Sequence, residues 1–264
     1  MYPYPISIFG GVFNIYLYGI MIAVGLAACF IVLFTYGKRF GVSSKLIDFI
    51  FYNGIASVVL GFGGAKLFQA FYDYIENPAE GFDFANAGMT FLGGLISGVV
   101  VFLIGYFLFR KRLDGRLIDV LPIVPCCILI AHGFGRIGCF FSGCCYGIET
   151  DSFLGVKFPH LPAPVHPTML YEAAFLFIMF GVCTWLLFKW RFRYTLPLYL
   201  VSYGVFRFLI EYLRGDHRGA LVTGMSPSQF LGLMMPVAGV VLFFGMRYFF
   251  ALRDAEGRDK ANEE

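Results

Sequence analysis

Long apolar runs separated by short charged stretches dominate the 264-residue chain. A bilayer-crossing helix needs about 20 mostly apolar residues. Seven stretches meet that length, near 15–37, 46–71, 89–109, 117–135, 167–188, 196–213 and 226–250. Two of them are interrupted: Pro122 and Pro125 fall in the fourth, and Arg207 and Glu211 fall in the sixth. No repeat, low-complexity tract or Ser/Pro linker divides the chain. The pattern therefore predicts an all-α polytopic membrane protein, with seven transmembrane helices in a single domain over 1–264. Met1–Gly10 carries neither a positive stretch nor a cleavage site, so a retained first span is expected rather than a signal peptide.

The charged connections set the expected topology. Lys38, Arg39 and Lys45 follow the first span, and Arg110, Lys111, Arg112 and Arg116 follow the third. Lys189, Arg191 and Arg193 follow the fifth, and Arg247, Arg253, Arg258 and Lys260 close the chain. The opposite connections hold Arg136, Lys157, Arg214 and Arg218, and the loop near 72–88 is acidic, with Asp73, Glu76, Glu80 and Asp83. The positive-inside rule then places the N-terminus outside and the C-terminus in the cytoplasm.

Composition narrows the function classes. Charged residues are 14% of the chain and hydrophobic residues 59%, against about 25% charged in soluble domains. Too few charges remain to cover a water-exposed surface, which excludes an ordinary soluble enzyme, a disordered chain and a nucleic-acid binder. The 33 Phe and 32 Gly suit helices packed in lipid, where small residues let backbones approach. Cys29, Cys126, Cys127 and Cys183 sit in apolar runs and read as small buried residues. Cys139, Cys144 and Cys145 lie in a Gly-rich segment.

Charge at membrane depth is costly, about 2.5–3.5 kcal/mol for a cation at a helix centre on insertion scales. Lys66, Arg136, Glu172, Arg207 and Glu211 therefore stand out. Tyr203, Arg207 and Glu211 are spaced i, i+4, i+8 and form one helical stripe. Either they tie helices together as a structural ion pair or they line an anion site, since the guanidinium fork matches phosphate oxygens. The run from His132 to Gly147 contains Gly133, Gly135, Gly138 and Gly143 beside Arg136, a composition that permits an irregular backbone cradle for phosphate. It could equally be an outer loop. His166 precedes Pro167, which suits the first position of a helix, and Glu172 lies one to two turns further in. Gly94 and Gly98 form a small-residue pair at the start of the third span, which helix packing alone would explain.

Taken in order, these motifs resemble the prolipoprotein diacylglyceryl transferase family over most of the chain. Tyr18-Gly19 is similar to an early Tyr-Gly pair, and Gly64-Ala65-Lys66-Leu67 to Gly-Ala-Arg-Leu. Phe91-Leu92-Gly93-Gly94-Leu95 is similar to Phe-His-Gly-Gly-Leu, and Gly135-Arg136-Ile137-Gly138 opens the family signature. His166-Pro167 through Leu170-Tyr171-Glu172 is similar to His-Pro-x-x-Leu-Tyr-Glu, and Tyr203 through Glu211 to Tyr-Gly-x-x-Arg-Phe-x-x-Glu. The chain departs where the family carries His at Leu92, Arg at Lys66, Asn at Cys139 and Ser142, and Glu at Cys144.

The resemblance implies a multi-pass enzyme of the bacterial inner membrane. It moves a diacylglyceryl group from phosphatidylglycerol, or a related phospholipid, to the lipobox cysteine thiol of a lipoprotein precursor's signal peptide. No cofactor, resident metal or nucleic acid is implied. His166, Glu172, Tyr203, Arg207 and Glu211 become candidate catalytic residues. Tyr18, Lys66, Gly93, Gly94, Arg136, Gly138 and Cys139 become candidate substrate-binding residues. With Leu92 in place of His, His166 is the available base beside Glu172 or Glu211. The cysteines are not expected to act as nucleophiles, because a thioether on the enzyme would be a poor leaving group; a disulfide from Cys139 to Cys144 or Cys145 is plausible on the oxidising side. Two alternatives stay open: a paralogous lipid transferase with another acceptor, and a thiol-redox or metal-binding membrane protein that uses Cys139, Cys144, Cys145 and His132.

Overall fold

The computed structural model describes residues 6–8, 13–78, 81–215 and 225–263. Glu80, Arg218 and most of Met1–Gly10, on which expectations above rest, lie outside them, as do the side chains of Arg258 and Lys260. Among the described residues, seven helices are long and apolar enough to cross a membrane. They are α1 (Leu17–Arg39), α2 (Ser44–Glu76), α3 (Phe91–Phe109), α4 (Val124–Ser142), α5 (Thr168–Trp190), α6 (Thr195–Ile210) and α7 (Pro227–Glu263). The protein is thus a multi-pass membrane protein. A short antiparallel ribbon, β1 (Ile6–Ile8) with β2 (Phe13–Ile15), precedes α1 and has no counterpart in the hydropathy pattern.

Six helices begin within two residues of the starts expected from hydropathy. The fourth does not. Residues Leu117–Asp119 form a 3₁₀ turn, and α4 starts only at Val124, with Pro125 in its first turn. Proline is tolerated there because its missing N–H would have no partner. The helix then runs to Ser142, so His132, Arg136, Gly138 and Cys139 lie on regular helix rather than in an irregular cradle. Glycine costs a helix about 1 kcal/mol relative to Ala. Packing explains its presence at Gly138, where an added Cβ would stand 3.1 Å from the Tyr18 ring and 3.4 Å from Cβ of Met21 on α1. The irregular backbone begins one turn later, at Gly143 and Cys145, with φ of 65° and 66°.

Backbone contacts divide the chain into two units, residues 34–120 and the remainder. Within 34–120, α2 packs along α3 through small residues. A Cβ on Gly94 would meet Cβ of Ala65 at 3.2 Å, and one on Gly98 the carbonyl of Ser57 at 3.3 Å. Asn53 Nδ2 donates to the Phe102 carbonyl at 2.9 Å, a polar tether between two otherwise apolar helices.

In the other unit α4, α5, α6 and α7 pack in succession. Thr195 Oγ1, fully buried, donates to the Pro122 carbonyl at 2.6 Å and ties the start of α6 to the segment before α4. Gly204 on α6 faces Gly232, Met235 and Pro236 on α7, and a Cβ there would lie 2.8 Å from the Gly232 carbonyl. Gly204→Ala should therefore overpack the crossing and cost about 1–3 kcal/mol. Thermal unfolding in detergent measures this, and an unchanged midpoint would mean that α7 can slide to make room.

Candidate active site

The expected charged residues on and next to α4, α5 and α6 fall into two networks. Glu172, on the second turn of α5 and 1% exposed, is the hub of the first. Its Oε1 accepts from the Tyr203 hydroxyl at 2.6 Å and pairs with Arg136 Nη2 at 3.0 Å. His132 Nε2 stands 3.7 Å from the same oxygen and accepts from Arg136 Nε at 3.3 Å. His132 and Arg136 are one helical turn apart on α4, so both reach toward α5 and α6. The His132 and Tyr203 rings meet edge to face at 5.3 Å. A buried carboxylate with several charged or hydroxyl partners is electrostatically satisfied, so Glu172 is an organiser of positive charge and not a free base.

The second network continues along the same stripe of α6. Arg207, 7% exposed, donates from Nη2 to Ser228 Oγ at 2.8 Å. Its Nη1 stands 3.0 Å from Glu211 Oε2. Among the described residues neither of those two atoms completes a hydrogen bond. Glu211 Oε1 accepts from Ser226 Oγ at 2.8 Å, and Arg214 Nε lies 3.8 Å from Oε2. Arg207 Nη1 is thus held against Glu211 by charge, with its hydrogen-bonding capacity unused.

His166 stands directly before Pro167, the cap of α5. Its Nδ1 lies 3.1 Å from the Tyr171 hydroxyl, while Glu172 faces the other way to Arg136 and Tyr203. Consecutive helical residues 171 and 172 point about 100° apart, so His166, which meets Tyr171, does not share the direction of Glu172. Pro167 is the cap of α5 and Thr168 its first residue, one position later than expected. Thr168 Oγ1 donates to the Cys145 carbonyl at 2.8 Å and anchors the 143–167 segment to the helix. That segment has its own small core, in which Phe158, Val165 and Met169 are buried against Phe140 and Tyr146.

The three signature cysteines gather at the end of α4. Their sulfurs all lie within 4.8 Å of one another, and none is disulfide-bonded, so the expected disulfide is not present. Cys144 Sγ donates to the Cys139 carbonyl at 3.7 Å. Cys145 holds a left-handed backbone that costs a non-glycine residue about 1–3 kcal/mol. Contacts with the Cys139 and Cys144 sulfurs, and then with the Arg214 guanidinium, hold the Cys145 thiol below its ordinary range. The Tyr18 hydroxyl lies within electrostatic reach of all three and of Arg136. The remaining expected residues belong to the 34–120 unit. Lys66 Nζ donates to the Ala85 carbonyl at 2.8 Å and sits 5.4 Å over the Phe84 ring. Gly93 abuts Phe68 and Gly94 abuts Ala65, which are packing contacts. Leu92 is 59% exposed.

The family profile described as prolipoprotein diacylglyceryl transferase matches residues 3–245, nearly the whole chain. The chain belongs to the prolipoprotein diacylglyceryl transferase family. A phosphatidylglycerol–prolipoprotein diacylglyceryl transferase of Clostridium tetani is 36% identical over 252 residues, covering 92% of this chain and 97% of its own. A second enzyme of that name in Clostridium perfringens is 31% identical over 247 residues, covering 90% and 92%. The Coxiella burnetii protein of the same name is 33% identical over 262 residues, covering 94% and 98%. For a diacylglyceryl transferase, sequence reasoning left several groups off the site. His132 was detectable from its i, i+4 spacing to Arg136. Ser226, Ser228 and Arg214 carried no such signal, because their roles arise only from the α6–α7 crossing.

Proposed function

We propose that this protein transfers a diacylglyceryl group from phosphatidylglycerol to the cysteine thiol of a prolipoprotein signal peptide. Membership of the family supports the reaction class. The observation that carries the site assignment is a pair of guanidiniums, Arg207 buried on α6 and Arg136 half-buried on α4, where Glu172 ties Arg136 to Tyr203 one helical turn before Arg207. Arg207 takes the leaving phosphate, on which charge develops as the glycerol C–O bond breaks. Arg136 is fixed by Glu172 and His132 beside it. Preorganised charge of this kind is commonly the largest catalytic contribution. Tyr203 holds Glu172, and Glu211 with Ser228 fixes the Arg207 fork. Tyr18 and Gly138 line the α1–α4 face next to Arg136, with Cys139 one turn on.

The distribution of Lys and Arg supports an outer N-terminus and a cytoplasmic C-terminus, with the protein in the bacterial inner membrane. The family match runs across both contact units without a break, which supports one functional domain over 1–264. In the 34–120 unit, Lys66, Gly93 and Gly94 remain proposed donor-lipid contacts by family position. His166 with Tyr171 is the proposed base on the outer side of α5, and acts in place of the family histidine lost at Leu92.

Purified protein, phosphatidylglycerol vesicles and a lipobox peptide test this directly: the peptide should gain the diacylglyceryl mass, and a peptide with Ser for Cys should not. Free acyl transfer or no product would overturn the proposal. Leu92→His restores the family base position and should raise transfer, since a general base contributes about 10²–10⁴-fold. Unchanged turnover in a normally inserted variant would mean that another group already activates the thiol.

A further inference from the structure

The three cysteines that replace polar family residues form a cluster with a definite donor set. Sγ of Cys139, Cys144 and Cys145 lie within 4.8 Å of one another, and no imidazole or carboxylate shares the cluster among the described residues. Tetrahedral zinc–sulfur bonds of about 2.3 Å place sulfurs about 3.8 Å apart, so a rotamer adjustment of about 1 Å closes the site. Two adjacent cysteines rarely point the same way, since successive side chains of an extended chain face opposite sides. Here the left-handed turn at Gly143 and Cys145 brings both to Cys139. The turn is fixed from outside: Cys144 N donates to the Cys139 carbonyl at 3.3 Å, and Thr168 Oγ1 to the Cys145 carbonyl. Arg214, its side chain 3% exposed, hydrogen-bonds Cys145 and supplies positive charge against an anionic sulfur cluster. Cys144 is exposed, so one side of the cluster is open.

We propose that Cys139, Cys144 and Cys145 bind one Zn²⁺ as three thiolates, and that the open fourth position takes the acceptor cysteine and presents it as a metal-bound thiolate. The second half rests on the transferase function proposed above. Three protein ligands with one open position is the arrangement of a catalytic rather than a structural zinc. Binding to zinc acidifies the acceptor thiol, so that its proton passes readily to His166, the proposed base, and a metal-bound thiolate is left as the nucleophile. That sulfur attacks the glycerol carbon, the C–O bond to phosphate breaks, and the phosphate monoester departs with the electron pair. The product thioether is neutral and a weaker ligand, so it leaves the metal, which keeps its oxidation state throughout. Cysteine at Cys139 and Cys144 and the loss of histidine at Leu92 then belong to one change of chemistry.

The test uses full-length protein in detergent, kept reduced with a phosphine, stripped with a chelator and reloaded with Co²⁺ as a spectroscopic probe. The expected result is one Co²⁺ per chain with sulfur-to-cobalt charge-transfer bands. These should intensify on adding a cysteine peptide but not its serine analogue. Loss of a second-shell partner alone weakens metal binding about 10–100-fold, so Cys145→Ser should weaken it by about 100-fold or more. Cys183→Ser, on a buried cysteine of α5, should not. Cys144→Ser makes the same test from an exposed position if Cys145→Ser fails to fold. Zn²⁺ should restore transfer to stripped protein. Wild-type Co²⁺ affinity in both serine variants overturns the site. Full-rate transfer by stripped protein overturns the role of the metal and leaves the transferase function standing. Normal Co²⁺ binding with no transfer by loaded protein overturns the transferase function and leaves the metal site.

Discussion

Arg207→Ala should lower diacylglyceryl transfer by about 10²–10³-fold, the loss seen when one preorganised donor to a developing anion is removed. The fold should survive the change. Glu211 keeps Ser226 at 2.8 Å and Arg214 at 3.8 Å, so its carboxylate is not left alone. Ser228 lies near the start of α7 and, being neutral itself, leaves no unpaired charge when the guanidinium goes. Arg207→Lys should also fail, because a point charge cannot hold Ser228 and Glu211 while also meeting a phosphate oxygen. Turnover of the purified variants on phosphatidylglycerol measures both. Near-normal turnover in Arg207→Ala would assign the phosphate to another cation, with Arg136 next in line.

Glu172→Ala should act mainly on stability. The carboxylate is 1% exposed and neutralises Arg136 at 3.0 Å, so its removal leaves a largely buried guanidinium beside His132 without its countercharge. Removing one partner of a buried ion pair costs about 3–5 kcal/mol, chiefly through the charge left behind. Glu172→Gln keeps a hydrogen bond for Tyr203 but not the countercharge, and should fall between wild type and Glu172→Ala. The midpoint of thermal unfolding in detergent measures the order. Equal midpoints for all three would mean that water already reaches Arg136 and screens it.

These sites show what the sequence makes legible. Spans are read from runs of about 20 apolar residues, a signal that needs no tertiary contact, and the helices follow it closely. The fourth span is offset because hydropathy sums over Leu117–Val124 as readily as over His132–Ser142. Prolines and a 3₁₀ turn decide where the helix begins, while glycines suggested a loop where packing against Tyr18 keeps a helix. The Tyr203–Arg207–Glu211 stripe is legible because its spacing lies within one helix. The Glu172 hub is legible only as an isolated charge. Its partners come from α4 and α6, and no local rule connects residues 31 or 36 positions apart in the chain. His166 is the converse case: close to Glu172 in sequence, it faces Tyr171 instead.

Arg207, Glu211 and their hydroxyl partners also bear on biogenesis. The span containing α6 has a mean hydropathy of 1.3, below the other six, whereas the one containing α7 has 1.9. Emerging from the translocation machinery first, α6 carries an arginine and a glutamate whose remaining partners, Ser226 and Ser228, are not yet synthesised. The Gly204–Gly232 approach lets α7 lie against α6 as soon as it appears. The two helices are therefore suited to partition into lipid together as a hairpin, with the last span made acting as an intramolecular chaperone for the one before it.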